Sequence, residues 1–252
     1  MLNSLDTMKR ILFSTAMLSA LLIAACDTYC NSAPEFEEYT FEDSVEGKYS
    51  VDIRYQHIAN SHECDILARI EQANYDHFFE EAAVEPADIE ASMHDMARRF
   101  SDDILSYEYS TDCYFDIDQA AFTTRDNSIL CYETHVDIYA GGAHGGQSLW
   151  YECYSLETGQ PYDFGYLYDG EWAAAINELL YDKLTEVVTA DGLLINDHKE
   201  LPVADSVLIT DSGLVFVYQP YSVASYAEGI LSVEISDADL AATKVPMLWG
   251  ER

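Results

Sequence analysis

Basic residues are scarce in this chain. Among 252 residues there are 12 Lys and Arg against 46 Asp and Glu, a formal net charge of −34. A surface so poor in cations does not suit nucleic acid, whose phosphates need compensating positive charge. It suits a cationic partner, a divalent cation, or a soluble, self-repelling protein. Catalytic signatures are lacking as well. The sequence contains no HExxH, no GxSxG and no recognisable Ser-x-x-Lys motif, and no catalytic residue is assigned. No CxxC occurs, so a zinc ribbon or a thioredoxin-type dithiol has no support, and no metal or cofactor is expected. Only one long apolar run exists, and no internal repeat or low-complexity stretch. Hydrophobic residues make up 49% of the chain, enough for a packed core.

The apolar run sits at the start. Met8-Lys9-Arg10 is a short basic segment, followed by Ile11 to Ala25, rich in Ile, Leu, Phe, Met and Ala. It is short for a bilayer span, which takes about 20 apolar residues, and right for the core of a signal peptide. Its end, Leu22-Ile23-Ala24-Ala25-Cys26, resembles a bacterial lipobox. The expectation is cleavage before Cys26, lipidation of that cysteine, and a protein anchored by lipid outside the cytoplasm, in the periplasm or on the outer membrane. Removing residues 1–25 takes Asp6, Lys9 and Arg10 away and leaves 45 acids against 10 bases, a charge of −35.

That compartment is oxidising, so disulfides are allowed. Five cysteines remain: Cys30, Cys64, Cys113, Cys131 and Cys153. The count is odd, so at least one is unpaired within the chain. Cys113 and Cys131 are symmetric about residue 122, and Cys131 and Cys153 about residue 142. A meander with turns there sets either pair opposite, but not both.

Hydropathy patterning predicts an α+β fold: antiparallel sheets with packed helices in two sub-domains. Residues 26–46 are acidic and read as a tether. Tyr49, Val51, Ile53 and Tyr55 alternate as one face of a strand. Helical spacing links Ile66, Leu67, Ile70, Ala73, Asn74 and His77, and then Ile89, Met93, Met96, Phe100 and Ile104, with Pro86 at a helix start. The methionines read as a core stripe. Strands follow at 113–118, 129–139 and 148–155. A helix carries Trp172, Ile176, Leu179, Leu180, Leu184 and Val187. Strands at 206–210, 214–218 and 230–235 come next, and Ser236 is placed to cap a short helix. This gives an N-terminal unit over 47–138, a C-terminal unit over 139–242, and a tail over 243–252.

Several clusters invite a chemical reading. His57, His62, Glu63 and Cys64 include three ligand types for zinc, but three consecutive residues rarely converge on one ion. Asp112, Asp116 and Asp118 share one strand face, and Glu133 and Asp137 are placed to share the next; they read as a solvated face, with a cation-binding face as the alternative. With this many acids, some pair at glycosidase spacing is expected by chance, so a wall- or glycan-processing enzyme remains the rival reading. Nineteen tyrosines are present. The aromatics Trp150, Tyr151, Tyr154, Tyr162, Phe164, Tyr166 and Tyr168 are expected to fill strands and loop undersides.

The densest glycine run is Tyr139-Ala140-Gly141-Gly142-Ala143-His144-Gly145-Gly146. Such a loop either connects two strands tightly or presents His144 and backbone N–H groups to a ligand. It is not a phosphate loop, since no Lys-Ser/Thr follows. Here the chain resembles a known family. YAGGAHGG, then YSLETGQPYDFGYLY, then TDSGLVFVYQPYSVASYAEGILSVEIS are similar to the RsiV-like domain. This is the extracytoplasmic domain of the anti-sigma-V factor, and it also accompanies peptidoglycan deacetylases of the PdaC type. The matching positions are Tyr139, Gly141, Gly142, Ala143, His144, Gly145, Thr158, Gly159, Pro220, Tyr221, Tyr226 and Gly229. Residues 48–138 look like the domain of unknown function that usually precedes it. The resemblance implies an α+β fold and recognition of lysozyme, another cationic protein, or a cell-wall component. It makes Tyr139, Gly141, Gly142, Ala143, His144, Gly145, Tyr221 and Tyr226 the candidate ligand-binding residues. With a lipobox in place of a transmembrane helix, and neither a sigma-binding nor a deacetylase segment, the chain is expected to act by binding.

Overall fold

A computed structural model of the chain describes residues 30, 32–79, 88–106, 112–188, 192–194 and 201–249. The signal segment, Cys26 and Pro86 lie outside the described residues. The fold is α+β. In chain order come β1 (Phe36–Val45), β2 (Tyr49–Ile58), α1 (Asp65–Phe78), α2 (Ile89–Ser106), β3 (Cys113–Thr124), β4 (Ile129–Tyr139) and β5 (Gly146–Ser155). Then follow α3 (Ala173–Val187), β6 (Ser206–Ile209), β7 (Gly213–Tyr218), β8 (Leu231–Ser236) and α4 (Asp237–Ala242). Strands β1 to β5 form one sheet in sequence order, and β6 to β8 form a second.

The sequence reading of antiparallel sheets is corrected for the first sheet, which is mixed. β2 and β3 run parallel, from Tyr49 opposite Cys113 to Arg54 opposite Asp118. A parallel pair needs a long crossover, and α1 and α2 lie between these two strands. They cover the face where Tyr49, Val51, Ile53 and Tyr55 meet Tyr75, Phe78, Phe79, Met93, Ala97 and Ile104. The methionine stripe is core: Met93 is buried and Met96 packs beside it.

The expected tether is corrected over residues 36–45, which form β1, in register with β2 from Phe36 opposite Ile58 to Val45 opposite Tyr49. Its own alternation is Tyr39 and Phe41, both packed on the helical core. Its acids obscured that signal. Glu37, Glu38, Glu42 and Asp43 are exposed on an edge strand, where charge discourages pairing with another chain. Cys30 and Cys64 form a disulfide, with Cα atoms 5.6 Å apart, that fixes the segment before β1 to the start of α1.

The expected boundary at 138/139 falls inside the β4–β5 hairpin, and the two sheets divide after Ser155. The second core packs Ile176, Leu180 and Leu184 of α3 onto Phe216, Tyr218, Val233 and Ile235, and continues to Ile129, Cys131 and Cys153 of the first sheet. Nor are residues 243–249 a free tail, because Val245 and Trp249 are buried in that core. Arg125 ties the sheets together. It lies in the β3–β4 turn, where Arg125, Asp126 and Asn127 all have positive φ. Its Nη1 and Nη2 donate to Asp237 Oδ2 and Oδ1 at 2.6 and 2.8 Å.

Register selects between the cysteine pairings. Cys131 stands directly opposite Cys153. Cys131 faces Phe122 across β3–β4, nine positions from Cys113. At about 3.3 Å per residue that is roughly 30 Å, too far for a disulfide. The actual turn lies at 125–128, not at residue 122.

Candidate functional site

The glycine loop forms the tip of the β4–β5 hairpin. Gly141 and Gly142 have φ of 90° and 105°, a backbone region that side chains oppose. Gly145 is constrained by space, since a Cβ there would meet Ile138 O at 2.8 Å. The loop is closed by tyrosines. Tyr139 OH donates to Gly142 O at 3.1 Å, and Tyr226 OH donates to Gly145 O at 2.8 Å. The His144 ring stacks on Tyr226 with centroids 4.1 Å apart and planes at 29°. Tyr221 continues the cluster, its ring 5.7 Å from that of Tyr226. It is a non-glycine residue at φ 72°, and its side chain is 59% exposed.

What brings residues 219–229 to the hairpin is Gln219. Its side-chain amide accepts from Leu149 N at 3.2 Å and donates to Leu149 O at 2.7 Å. One side chain thus takes the part of a neighbouring strand, satisfying edge groups of β5 that would otherwise be open. Ser206 Oγ accepts from Tyr151 N in the same way at 3.1 Å.

Beside this cluster lies a row of carboxylates. Asp52 faces Asp116 across β2–β3, and Asp116 faces Asp137 across β3–β4. Glu42 extends the row on β1. Desolvation, then the charges of Asp52 and Asp137, raise the Asp116 pKa above the ordinary 3.8. Tyr114, opposite Tyr139, donates from its OH to Asp137 Oδ1 at 3.1 Å. That hydrogen bond, followed by desolvation, raises the tyrosine pKa. Arg54 Nη2, 3.1 Å from Asp52 Oδ2, offsets part of the charge. Among the described residues no group of three His, Cys, Asp or Glu is placed to hold a metal ion. Glu42 and Asp116 are exposed and Asp52 and Asp137 half-buried, so the row is an acidic face open to solvent, bordered by stacked rings. Chemically it can attract and stack on cationic groups.

The structure brings together Tyr139, Gly141, Gly142, His144, Gly145, Tyr221 and Tyr226, and leaves Ala143 exposed at the loop's surface. Asp116 and Asp137 join them, whereas Glu133 accepts from Tyr151 OH at 2.7 Å, four residues along β4 from Asp137. Sequence reasoning missed Tyr114 and Gln219. Tyr114 was in reach of it, being two residues from Asp116 on a strand and hence on the same face. Gln219 carries no local signal. The imagined zinc cluster is split: His57 pairs with Glu71 at 2.7 Å, and Cys64 is in the disulfide. Tyr162, Phe164, Tyr166 and Tyr168 pack against the second core, as fillers do. A cavity of about 1270 Å³, lined by Phe36, Leu67, Tyr162 and Leu248 among others, shares no residue with the loop cluster.

The fold class is α+β, with a five-stranded mixed sheet, a three-stranded antiparallel sheet and packed helices. Residues 169–238 match the family model described as a protein of unknown function, DUF3298. That stretch holds α3, β6 to β8, Tyr221 and Tyr226. No curated protein matches the sequence. Two solved structures share the fold. One is a DUF3298 member from Bacteroides fragilis, 15% identical, with a TM-score of 0.64, covering 83% of this chain and 93% of its own. The other is a DUF3298 family protein from Pseudomonas aeruginosa, 18% identical, with a TM-score of 0.54, covering 83% and 94%.

Proposed function

We propose that this chain is a lipid-anchored binding protein of the cell envelope, outside the cytoplasm, that docks a cationic protein through the His144 loop. Lysozyme is the partner implied by the resemblance to RsiV-like domains. The observation that carries the reading is the stack of His144, Tyr226 and Tyr221 on a chain of net charge −34, beside the Asp52, Asp116 and Asp137 row. Exposed rings with one polar end are the residues that anchor protein interfaces. Lysine and arginine side chains bind both features, carboxylates by charge and tyrosine faces by cation–π contact. The net charge speeds encounter and is screened by salt; the ring contacts persist.

Calorimetric titration of the full chain with a c-type lysozyme tests this, with an inert protein of similar positive charge as control. The expected result is binding that survives physiological salt, is absent for the control, and weakens on His144→Ala or Tyr221→Ala. Equal binding to both proteins, lost at physiological salt, would reduce the acidic surface to a generic attraction.

A further inference from the structure

We propose that Cys131 and Cys153 form a second disulfide of the mature protein, joining β4 to β5 below the hairpin tip that carries His144. The inference rests on the extracytoplasmic reading for its oxidising environment, and on geometry for its pairing. The two residues are directly opposed in the antiparallel register. Opposed Cα atoms in such a pair stand roughly 4.5–5.5 Å apart, inside the window a disulfide requires. Their sulfurs are 2.9 Å apart, well within the sum of two sulfur van der Waals radii. Two buried thiols this close gain more from a covalent bond than from a weak S–H contact. Cys113, the other cysteine outside the Cys30–Cys64 bond, is far up β3 and has no access to either.

The surroundings say when the bond forms. Cys131 is 0% exposed and Cys153 2%. Backbone atoms of β6 close over them: Ile209 N donates to Cys153 Sγ at 3.4 Å, and the carbonyls of Ile209 and Val207 lie 3.9 Å from the two sulfurs. Contact with Cys153, followed by burial, pushes the Cys131 thiol up, so in the closed fold it is not the thiolate that reacts. Oxidation therefore precedes the docking of β6. One cysteine thiolate attacks the disulfide of a thiol–disulfide oxidant; a mixed S–S bond forms as the oxidant's own bond breaks and its second sulfur leaves as thiolate. The other cysteine gives its proton to water and attacks the mixed disulfide. The Cys131–Cys153 bond forms and the oxidant departs as a dithiol. The protein loses two electrons and two protons, and the oxidant takes up both. The closed loop spans the whole hairpin tip, so the bond locks the β4–β5 register on which the His144–Tyr226 stack depends.

The test is residue-level thiol mapping of the full chain exported by a bacterial host and unfolded directly into an alkylating agent without reductant. Glu133 and Glu152 lie between the two cysteines, so cleavage at glutamate separates them unless sulfur holds them together. The expected result is that Cys131 and Cys153 escape alkylation and that their peptides travel together until a reductant is added. Alkylated Cys131 and Cys153 beside an intact Cys30–Cys64 bond overturn the proposal, as does Cys131 joined to Cys113. A parallel arm refolds the reduced, purified chain with oxidised glutathione. If no bond forms in cells but Cys131–Cys153 forms on refolding, the pairing stands and the compartment reading fails. If refolding forms only Cys30–Cys64, the pairing is refuted.

Discussion

Replacing Asp116 by Asn should stabilise the protein at neutral pH. Asp116 is exposed and stands between Asp52 and Asp137 on adjacent strands. Strands lie about 4.8 Å apart, so the opposed carboxylates are roughly 5–6 Å from one another. A pair of unit charges at about 5 Å in water repels by about 0.8 kcal/mol. Arg54 cancels part of the Asp52 share. The expected gain is about 1 kcal/mol at low ionic strength, falling to roughly half in 0.15 M salt, where the screening length is about 8 Å. The pH dependence has a definite sign. The folded pKa is raised above 3.8, so the native state holds this proton more tightly than the unfolded chain does. The native carboxylate therefore opposes folding above the folded pKa, and stability rises as pH falls through that value toward 3.8. Urea unfolding of both forms at neutral pH, at two salt concentrations and again near pH 3, measures this. A gain that ignores salt, persists at pH 3, or is replaced by a loss would refute the electrostatic account of the row.

Tyr226→Phe keeps the stack on His144 and removes only the hydrogen bond to Gly145 O, so it should cost about 1 kcal/mol, whereas Tyr226→Ala should cost about 2 kcal/mol or more. Equal losses in thermal unfolding would mean the stack contributes nothing. Arg125→Ala breaks a two-pronged ion pair between the β3–β4 turn and Asp237 at the start of α4 and should cost about 1–2 kcal/mol. The Arg125 hydrogen bonds hold the Asp237 pKa below 3.8, so this contribution is present above pH 3.8 and fades as pH falls through the folded value; a double-mutant cycle with Asp237→Ala across pH reads it out. Gly213→Ala places a Cβ 2.1 Å from Ile235 O, a backbone atom of β8 that has no freedom to retreat. A loss of roughly 3 kcal/mol or more is expected, and a melting temperature unchanged from the parent would show that β7 and β8 are not paired as described.

Much of the fold was legible because its signals are local. Alternation revealed β2, and helical spacing revealed α1, α2 and α3, since each element turns one face to a core. Ser236 does cap α4, accepting from Asp239 N at 3.2 Å. Where acid content and alternation disagreed, over residues 36–45, composition misled: an edge strand needs only one apolar face, and Tyr39 with Phe41 supplies it. In the candidate site the glycine loop and its tyrosines were legible from the motif. Tyr114 could have been found from its place two residues before Asp116, but the alignment of three aspartates could not, because it depends on which strands become neighbours.

By itself, the sequence determined the acidic charge, the α+β class and the glycine-His loop, because composition, periodicity and the conformational freedom of glycine are properties of short stretches. Only the tertiary structure decided that β2 and β3 run parallel, that Cys131 faces Cys153, and that Gln219 carries Tyr221 and Tyr226 to His144. These are pairings between residues tens of positions apart. They are fixed by how two sheets and their helices bury apolar faces together, and no single stretch of chain encodes them.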